Sequence, residues 1–196
     1  MMDNVTMKYL TWNNITAACI SLVKQFSDMR CKFDTIVSIG RGGMVPARLL
    51  SECLDKDCIK DVRIINCHSY VDSEKKQGEM IVNSDEFNFK SLENKNVLLV
   101  DDVYTTGNTV RATKKTFLDR VPNINIMTSV LYMNLDVIEV EKNEMPKELL
   151  INTIDNPNEL LKYIKKINDL DAYAFYYSAK IDWLVFPWEN WYGTMY

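Results

Sequence analysis

The sequence predicts an α/β domain built on a central, mainly parallel sheet. Three observations carry this: short apolar runs such as Thr35 to Ile39 and Val97 to Val100, helical apolar periodicity in the segments around them, and glycine- or hydroxyl-rich turns where strand gives way to helix. Four consecutive apolar residues, Val97 to Val100, are what a strand covered on both faces needs. Strands alternating with helices through short connections imply right-handed crossovers.

The elements follow in order. Asn14 to Phe26 reads as a helix because Ile15, Ala18, Cys19, Leu22, Val23 and Phe26 form one stripe. Thr35 to Ile39 is a strand that breaks into Gly40-Arg41-Gly42-Gly43, and a helix follows with Val45, Leu49, Leu50 and Cys53 inward. Val62 to Cys67 is the next strand, and Asp72 to Met80 is a polar loop whose composition suits mobility. Val97 to Val100 is the third strand and ends on Asp101-Asp102; Asn108 to Leu118 is the helix after it, and Asn125 to Met133 the fourth strand.

Leu135 to Asp171 departs from this alternation. It is charged and Asn-rich, with one helix capped by Asn156, opened by Pro157, boxed by Glu159 and striped by Leu160, Leu161, Ile164 and Ile167. Ala172 to Tyr196 is crowded with Tyr and Trp and must pack on something. No internal repeat or low-complexity tract interrupts the chain.

Composition narrows the functional classes. At 196 residues, 47% hydrophobic and 26% charged, the chain 1–196 fits one domain with a full core. A net charge of −4 without a long Lys/Arg run argues against a nucleic-acid binder that works by neutralising phosphates. Met1 to Lys8 carries Asp3 and Asn4 and no apolar core, so no signal peptide, no membrane partner and a cytoplasmic location are expected. Cys19, Cys31, Cys53, Cys58 and Cys67 form no Cys-x-x-Cys, and His68 is the one histidine. That is poor metal-site material, and the cysteines read as small buried hydrophobes in a reducing compartment, His68 as structural.

The chemistry concentrates in two strand-to-helix turns. Asp101 and Asp102 stand at the carboxyl end of a strand, where ligands bind in open α/β sheets, and Tyr104, Thr105, Thr106, Gly107, Asn108 and Thr109 supply amides, hydroxyls and a helix N-terminus for a phosphate dianion. Carboxylates beside such a socket suit a sugar phosphate, because they accept hydrogen bonds from a ribose diol. The plainer alternative, an Asp N-cap at a turn, accounts for one carboxylate but not for two carboxylates and three threonines. In Ser38 to Pro46, Gly42 and Gly43 let amides approach a diphosphate and Arg41 adds a cation; the alternative there is a tight turn with a solvent-facing arginine.

The order of apolar strand, acid pair, Thr-Gly and closing Thr resembles the phosphoribosyl pyrophosphate motif of the type I phosphoribosyltransferases. The string Arg41-Gly42-Gly43-Met44-Val45-Pro46 is similar to the pyrophosphate loop of the purine phosphoribosyltransferases, which implies a strained cis peptide at Gly40–Arg41. Ser69-Tyr70 resembles the pair that opens the family's mobile catalytic loop, from which Lys75 and Lys76 could approach the leaving pyrophosphate once closure excludes water. Asp182 to Glu189 resembles the nucleobase segment of the bacterial xanthine/guanine enzymes. That match implies Trp183 stacking on a base, Leu184 offering backbone hydrogen bonds, Glu189 facing the base edge or a metal-bound water, and Trp188 packing.

The resemblance implies the type I fold with a hood made from the termini, a homodimer, and transfer of phosphoribose from phosphoribosyl pyrophosphate to a nucleobase. Asp101 and Asp102 would hold ribose, Tyr104 to Thr109 the 5-phosphate and Arg41 to Gly43 the pyrophosphate, with Mg2+ beside Asp102 and Glu189. The chain departs from the purine pattern in three places. Thr105 stands where a proton-handling aspartate is usual, Asn134 or Met133 where a lysine reads the 6-oxo group, and Leu135 to Asp171 where a shorter connection is found. Thr105 accepts no proton near neutral pH, so an acceptor that arrives ionised, such as xanthine, is the expectation, with Lys180 or the inserted helix replacing the missing reader. A non-catalytic sensor of phosphoribosyl pyrophosphate is the alternative from another class. A nucleotide hydrolase is remote, because no Gly-x-x-x-x-Gly-Lys loop exists.

Overall fold

A strand buried on both faces needs a helix layer on each side, and the arrangement of the chain supplies both. The structure, a computed structural model, describes residues 7–54, 59, 61–69, 80–83, 87–105, 107–134, 170–177 and 183–189, with backbone alone at 68–69, 80–83, 134 and 175–177. In chain order these form β1 (Met7–Tyr9), α1 (Trp12–Asp28), β2 (Thr35–Ile39), α2 (Met44–Cys53), β3 (Asp61–Ser69), β4 (Met80–Asn83), β5 (Asn96–Tyr104), α3 (Asn108–Arg120), β6 (Asn125–Asn134), β7 (Ala172–Tyr177) and β8 (Trp183–Val185). A short 3-10 turn, Phe89–Leu92, precedes β5.

Six strands make the main sheet in the order β4-β3-β2-β5-β6-β7. All neighbours run parallel except the edge strand β4, which lies antiparallel on β3. Register places Ile36 against Val62 on one side and Leu98 on the other, and Leu98 against Met127. Odd and even positions of β5 then serve opposite cores. Leu98 and Val100 join Ile15, Ala18, Leu22 and Phe26 of α1 and Ala47 and Leu50 of α2; Val97 and Leu99 join Val110 and Phe117 of α3 and Phe89 and Leu92 of the 3-10 turn.

Local chemistry sets the helix boundaries. Thr11 caps α1 in a reciprocal box: Asn14 N–H donates to Thr11 Oγ1 at 3.3 Å and Thr11 N–H to Asn14 Oδ1 at 2.9 Å. Neither α2 nor α3 has such a cap, since Gly43 and Gly107 occupy their N-cap positions. No helix among the described residues is long and apolar enough to cross a membrane.

Several expectations change. Cys53 is exposed, because the buried face of α2 is Pro46, Ala47, Leu50 and Ser51, and Cys53 lies about 200° around the helix from Ser51. Cys19 alone among the described cysteines is fully buried; Cys31 and Cys67 are half-buried. The strand expected to end at Val100 runs on through Asp101 and Asp102 to Tyr104, because β6 continues beside it, Tyr132 and Met133 matching Val103 and Tyr104. Met80, expected at the end of a loop, begins β4. Part of the aromatic tail is itself a sheet strand, β7, paired along β6. Chain re-entry before it is anchored by Asp171, whose Oδ2 accepts from Thr128 N–H at 2.7 Å and Thr128 Oγ1 at 2.9 Å. The helix expected at 156–167, the lysines at 75, 76 and 180, Asp182, and the residues Tyr70, Thr106 and Cys58 lie outside the described residues.

Candidate active site

The crossover after β2 leads away from β5, to β3, whereas the crossover after β5 leads the other way, to β6. Right-handed connections in opposite directions put α2 and α3 on opposite faces, and their packing in separate cores agrees. The carboxyl ends of the adjacent strands β2 and β5 therefore form the switch point of the sheet, the crevice where open α/β sheets bind ligands. Two uncapped helix N-termini begin beside it, those of α2 and α3, and each is an electropositive end suited to an anion.

Asp101 and Asp102 sit on the floor of this crevice, braced by the backbone. Asp102 N–H donates to Asp101 Oδ1 at 3.0 Å, and Val103 N–H donates to Asp102 Oδ1 at 2.7 Å. Burial pushes the Asp101 carboxyl well up from the usual range, with the charge of Asp102 adding to it. Burial likewise raises Asp102 to about 6; the Val103 amide opposes the rise and the charge of Glu189 adds to it. Carboxylates held at this cost to their charged form are candidates for a functional role.

The β2–α2 turn is folded onto this pair. Gly40 takes the left-handed conformation at φ +56°, its N–H donating to Ile65 O at 2.8 Å, and Ser38 Oγ donates to Gly40 O at 3.0 Å. No cis peptide occurs among the described residues, so the Gly40–Arg41 bond is trans, contrary to what the family resemblance implied; the positive φ of Gly40 makes the turn instead. The next two glycines answer to the protein's own packing. A Cβ on Gly42 would stand 2.6 Å from Asp102 Cγ, and one on Gly43 would stand 2.9 Å from Ile39 N and still closer to the Val100 carbonyl oxygen.

At the β5–α3 turn Gly107 has φ +79°, with the Tyr104 ring beneath it: a Cβ there would lie 2.6 Å from Tyr104 Cζ. Tyr104 is only 3% exposed and supports the turn from the core. Asn108 is exposed and its Oδ1 accepts from Arg111 Nη2 at 2.7 Å.

The remaining wall comes from the chain's far end. β8 pairs in parallel with β1, matching Trp183 to Met7 and Leu184 to Lys8, and the two strands form a small hood. Trp183 is 57% exposed, whereas the Leu184 side chain is buried in the core. Glu189 closes the segment on itself: Phe186 N–H donates to Glu189 Oε2 at 2.7 Å and Glu189 N–H to Phe186 O at 3.0 Å. Trp188 stacks on Phe186 with ring centroids 4.8 Å apart and meets Trp12 at 6.0 Å, and it lines the cleft as well, which the packing role expected of it did not include.

These segments enclose one cleft of about 900 Å³, large enough for a nucleotide-sized ligand. Arg41, Gly42, Asp101, Asp102, Thr105, Thr109, Trp183, Leu184 and Glu189 all line it. Gly43, Tyr104 and Gly107 are buried behind it, and Asn108 is not on its wall. The backbone of Ser69 ends β3, one strand over from β2.

A family model for the phosphoribosyl transferase domain matches residues 6–159, most of the chain and both strand-to-helix turns of the cleft. The chain belongs to the phosphoribosyltransferase family. Its fold is that of the type I phosphoribosyltransferases, and it superposes on the purine phosphoribosyltransferase of Pyrococcus horikoshii Ot3 with a TM-score of 0.63, at 23% identity, covering 94% of this chain and 95% of that one. A Neisseria gonorrhoeae protein crystallised with ppGpp gives 0.66 at 20% identity, covering 96% and 92%. Among curated relatives, the transcriptional regulator GfcR of Methanococcus maripaludis strain C5 is 34% identical over 55% of this chain and 51% of its own length. The hypoxanthine-guanine phosphoribosyltransferase of Saccharomyces cerevisiae is 23% identical over 93% of this chain and 86% of its own. The chain thus spans about half the length of the regulators it matches.

The phosphoribosyltransferase cleft also includes Ile39, Gly40, Val103, Phe186 and Trp188, which lie within the motif strings but were given no ligand role, and Cys67, which lies outside them. Cys67 had a signal, its place at the carboxyl end of a strand beside β2. It faces Thr113, with 3.2 Å between Sγ and Oγ1, and burial raises its pKa, the charge of Asp101 adding to the rise, so it is a poor nucleophile.

Proposed function

We propose that this phosphoribosyltransferase transfers the 5-phosphoribosyl group of phosphoribosyl pyrophosphate to a nucleobase, a purine such as xanthine, guanine or hypoxanthine. A ring nitrogen of the base bonds to C1 as the C1–O bond breaks; the electron pair leaves on pyrophosphate, which also takes up the ring proton. One observation supports this most: acid pair, glycine-arginine turn and aromatic segment, far apart in sequence, line a single cleft at the sheet's switch point.

In this reading Asp101 and Asp102 accept hydrogen bonds from the ribose hydroxyls, and amides from Tyr104 to Thr109 with the threonine hydroxyls hold the 5-phosphate at the N-terminus of α3. Arg41, Gly42 and Gly43 hold the pyrophosphate at the N-terminus of α2, and Ser69-Tyr70 open a loop that excludes water. Trp183 stacks on the base and the Leu184 backbone reads its edge. No group of three or more metal-ligating side chains exists among the described residues. Asp102 and Glu189 nevertheless suit Mg2+, which binds through one or two carboxylates plus substrate oxygens and would neutralise the leaving diphosphate.

A second reading, a non-catalytic sensor of phosphoribosyl pyrophosphate, draws support from the regulators among the relatives and from Thr105 in place of a proton acceptor. Pyrophosphate release separates the two. With phosphoribosyl pyrophosphate, Mg2+ and each of guanine, xanthine, hypoxanthine, adenine, orotate and uracil, turnover with a purine is expected; binding without turnover on any base would leave the sensor. Trp183→Ala should raise the KM for the base about tenfold or more, the worth of one stacking contact, while affinity for phosphoribosyl pyrophosphate measured by calorimetry stays unchanged. An unchanged KM would remove Trp183 from the base site.

A further inference from the structure

We infer that Arg111, two residues beyond the Thr-Gly turn motif, sets the affinity of the cleft for the 5-phosphate end of the donor, by holding the first turn of α3 in shape and adding a positive charge beside it. The inference rests on the reading that this helix end takes the 5-phosphate, and it names a residue which that reading leaves out. Arg111 closes the first turn of α3, its N–H donating to Gly107 O at 2.9 Å, and from there a long side chain leans back towards the helix N-terminus. The contacts of its guanidinium follow that direction. Nη2 donates to Asn108 Oδ1 at 2.7 Å, and Nη1 stands 2.9 Å from the place that a Cβ on Gly107 would take. Tyr104 shares that space, its Cζ lying 2.6 Å from the same point. Gly107, at φ +79°, is therefore held between a buried ring and a guanidinium.

This charge stands at the less usual end of a helix. The N-terminus of α3 is already electropositive, with no side-chain cap and no acidic residue in its first turn, whereas cations ordinarily favour a helix C-terminus. Arg48 of α2 shows the commoner arrangement, pairing with Glu52 one turn further along its helix. Arg111 instead brings like charge to within a turn of uncapped amides, and an anion bound at that helix end is attracted by both. The start of α2 has a guanidinium of its own in Arg41, so each of the two uncapped helix ends has one nearby. Arg111 does not line the cleft. It acts through Gly107 and Asn108 and through its charge, as a positioning residue. It is also exposed, so water screens part of that charge and the expected effect is about fivefold.

The test titrates two probes into the full chain with Mg2+ by calorimetry, ribose 5-phosphate for this end of the cleft and pyrophosphate for the other. Arg111→Gln, which keeps a hydrogen-bond donor and loses the charge, should weaken ribose 5-phosphate by about fivefold or more and leave pyrophosphate within about twofold. Arg111→Lys keeps the charge and should recover most of the affinity for ribose 5-phosphate. In turnover, the KM of Arg111→Gln for phosphoribosyl pyrophosphate should rise by a similar factor while kcat falls by less than about twofold, since the 5-phosphate is held alike in the ground and transition states. An unchanged affinity of Arg111→Gln for ribose 5-phosphate, equal losses for the two probes, or no recovery in Arg111→Lys overturns the inference while leaving the transferase reading intact. A wild-type chain that binds neither ribose 5-phosphate nor phosphoribosyl pyrophosphate overturns that reading and this inference together.

Discussion

Replacing Asp102 by Asn is expected to cut nucleotide formation by about 10²-fold or more and at the same time to stabilise the fold at neutral pH. The two effects share a cause. Asp102 is raised to about 6 chiefly by burial, so its charged form is less comfortable in the folded chain than in the unfolded one. Below its ordinary value near 3.8 the group is neutral in both states and costs nothing. As pH climbs from there towards about 6 the unfolded chain ionises first, the folded chain holds the proton longer, and stability falls; above that window the loss is constant. The loss amounts to about 2 to 3 kcal/mol at most.

Asn keeps an oxygen for the Val103 N–H and removes the charge, so melts of Asp102→Asn should be flat where the wild type declines, and higher at pH 7. Asp101→Asn shares the direction, because burial and the Asp102 charge push Asp101 up as well. A double variant that forms nucleotide at the wild-type rate would take the acid pair out of the site. A single Asp102→Asn variant less stable than wild type at pH 7 would contradict the electrostatic account.

Gly43→Ala carries the largest expected loss of stability, about 3 kcal/mol. The backbone at Gly43 is ordinary, φ −71°, so conformation is not the reason for glycine there. The reason is space: the added methyl would meet Ile39 N at 2.9 Å, Ile39 O at 3.0 Å and the Val100 carbonyl closer still. All three are backbone atoms of β2 and β5, which cannot yield as a flexible side chain can. Relief would require prising the α2 turn off the two central strands, which would also move Arg41 and Gly42 relative to Asp102. Gly40→Ala provides the contrast, since its positive φ of 56° costs an L-residue about 1 to 2 kcal/mol but nothing lies within 4 Å of the new methyl. Chemical denaturation should therefore rank Gly43→Ala well below Gly40→Ala; the opposite order would show the packing argument to be wrong.

Much of the fold was legible because apolar periodicity reports burial directly. Thr35 to Ile39 is a strand to the residue, and Asn125 to Met133 is extended by one residue only. α1 runs two residues beyond the expected helix at each end; at its start this is because Thr11 caps it and the Asn14 box closes the first turn. Legibility failed where partners outside the local sequence decide. The carboxyl end of β5 contains two aspartates that no propensity assigns to a strand, yet β6 lies beside them. Cys53 has inward-looking chemistry, but which face of α2 is buried depends on how α1 and the sheet meet it.

The same division runs through the site. The acid pair, the Arg-Gly-Gly turn, the Thr-Gly turn and the aromatic segment were all present as short strings, because each must offer particular donors and acceptors within a few residues. The glycine pair was legible as necessary, though its reason was not: Gly42 and Gly43 make room for Asp102 and for the β5 backbone, contacts between positions some sixty residues apart.

By itself, then, the amino-acid sequence determined the mainly parallel α/β class, its four central strands with the helices beside them, and a resemblance to a phosphate-handling family that the family model bears out, since periodicity, glycines and hydroxyls act locally. Only the tertiary structure decided that β2 and β5 are neighbours with helices on opposite faces, which brings two separate strand-to-helix turns into one cleft. It also decided that Trp183 and Glu189, more than eighty residues on from the acid pair, join the wall of that same cleft. Strand order and charge placement arise from contacts across the whole chain, and no local pattern encodes them.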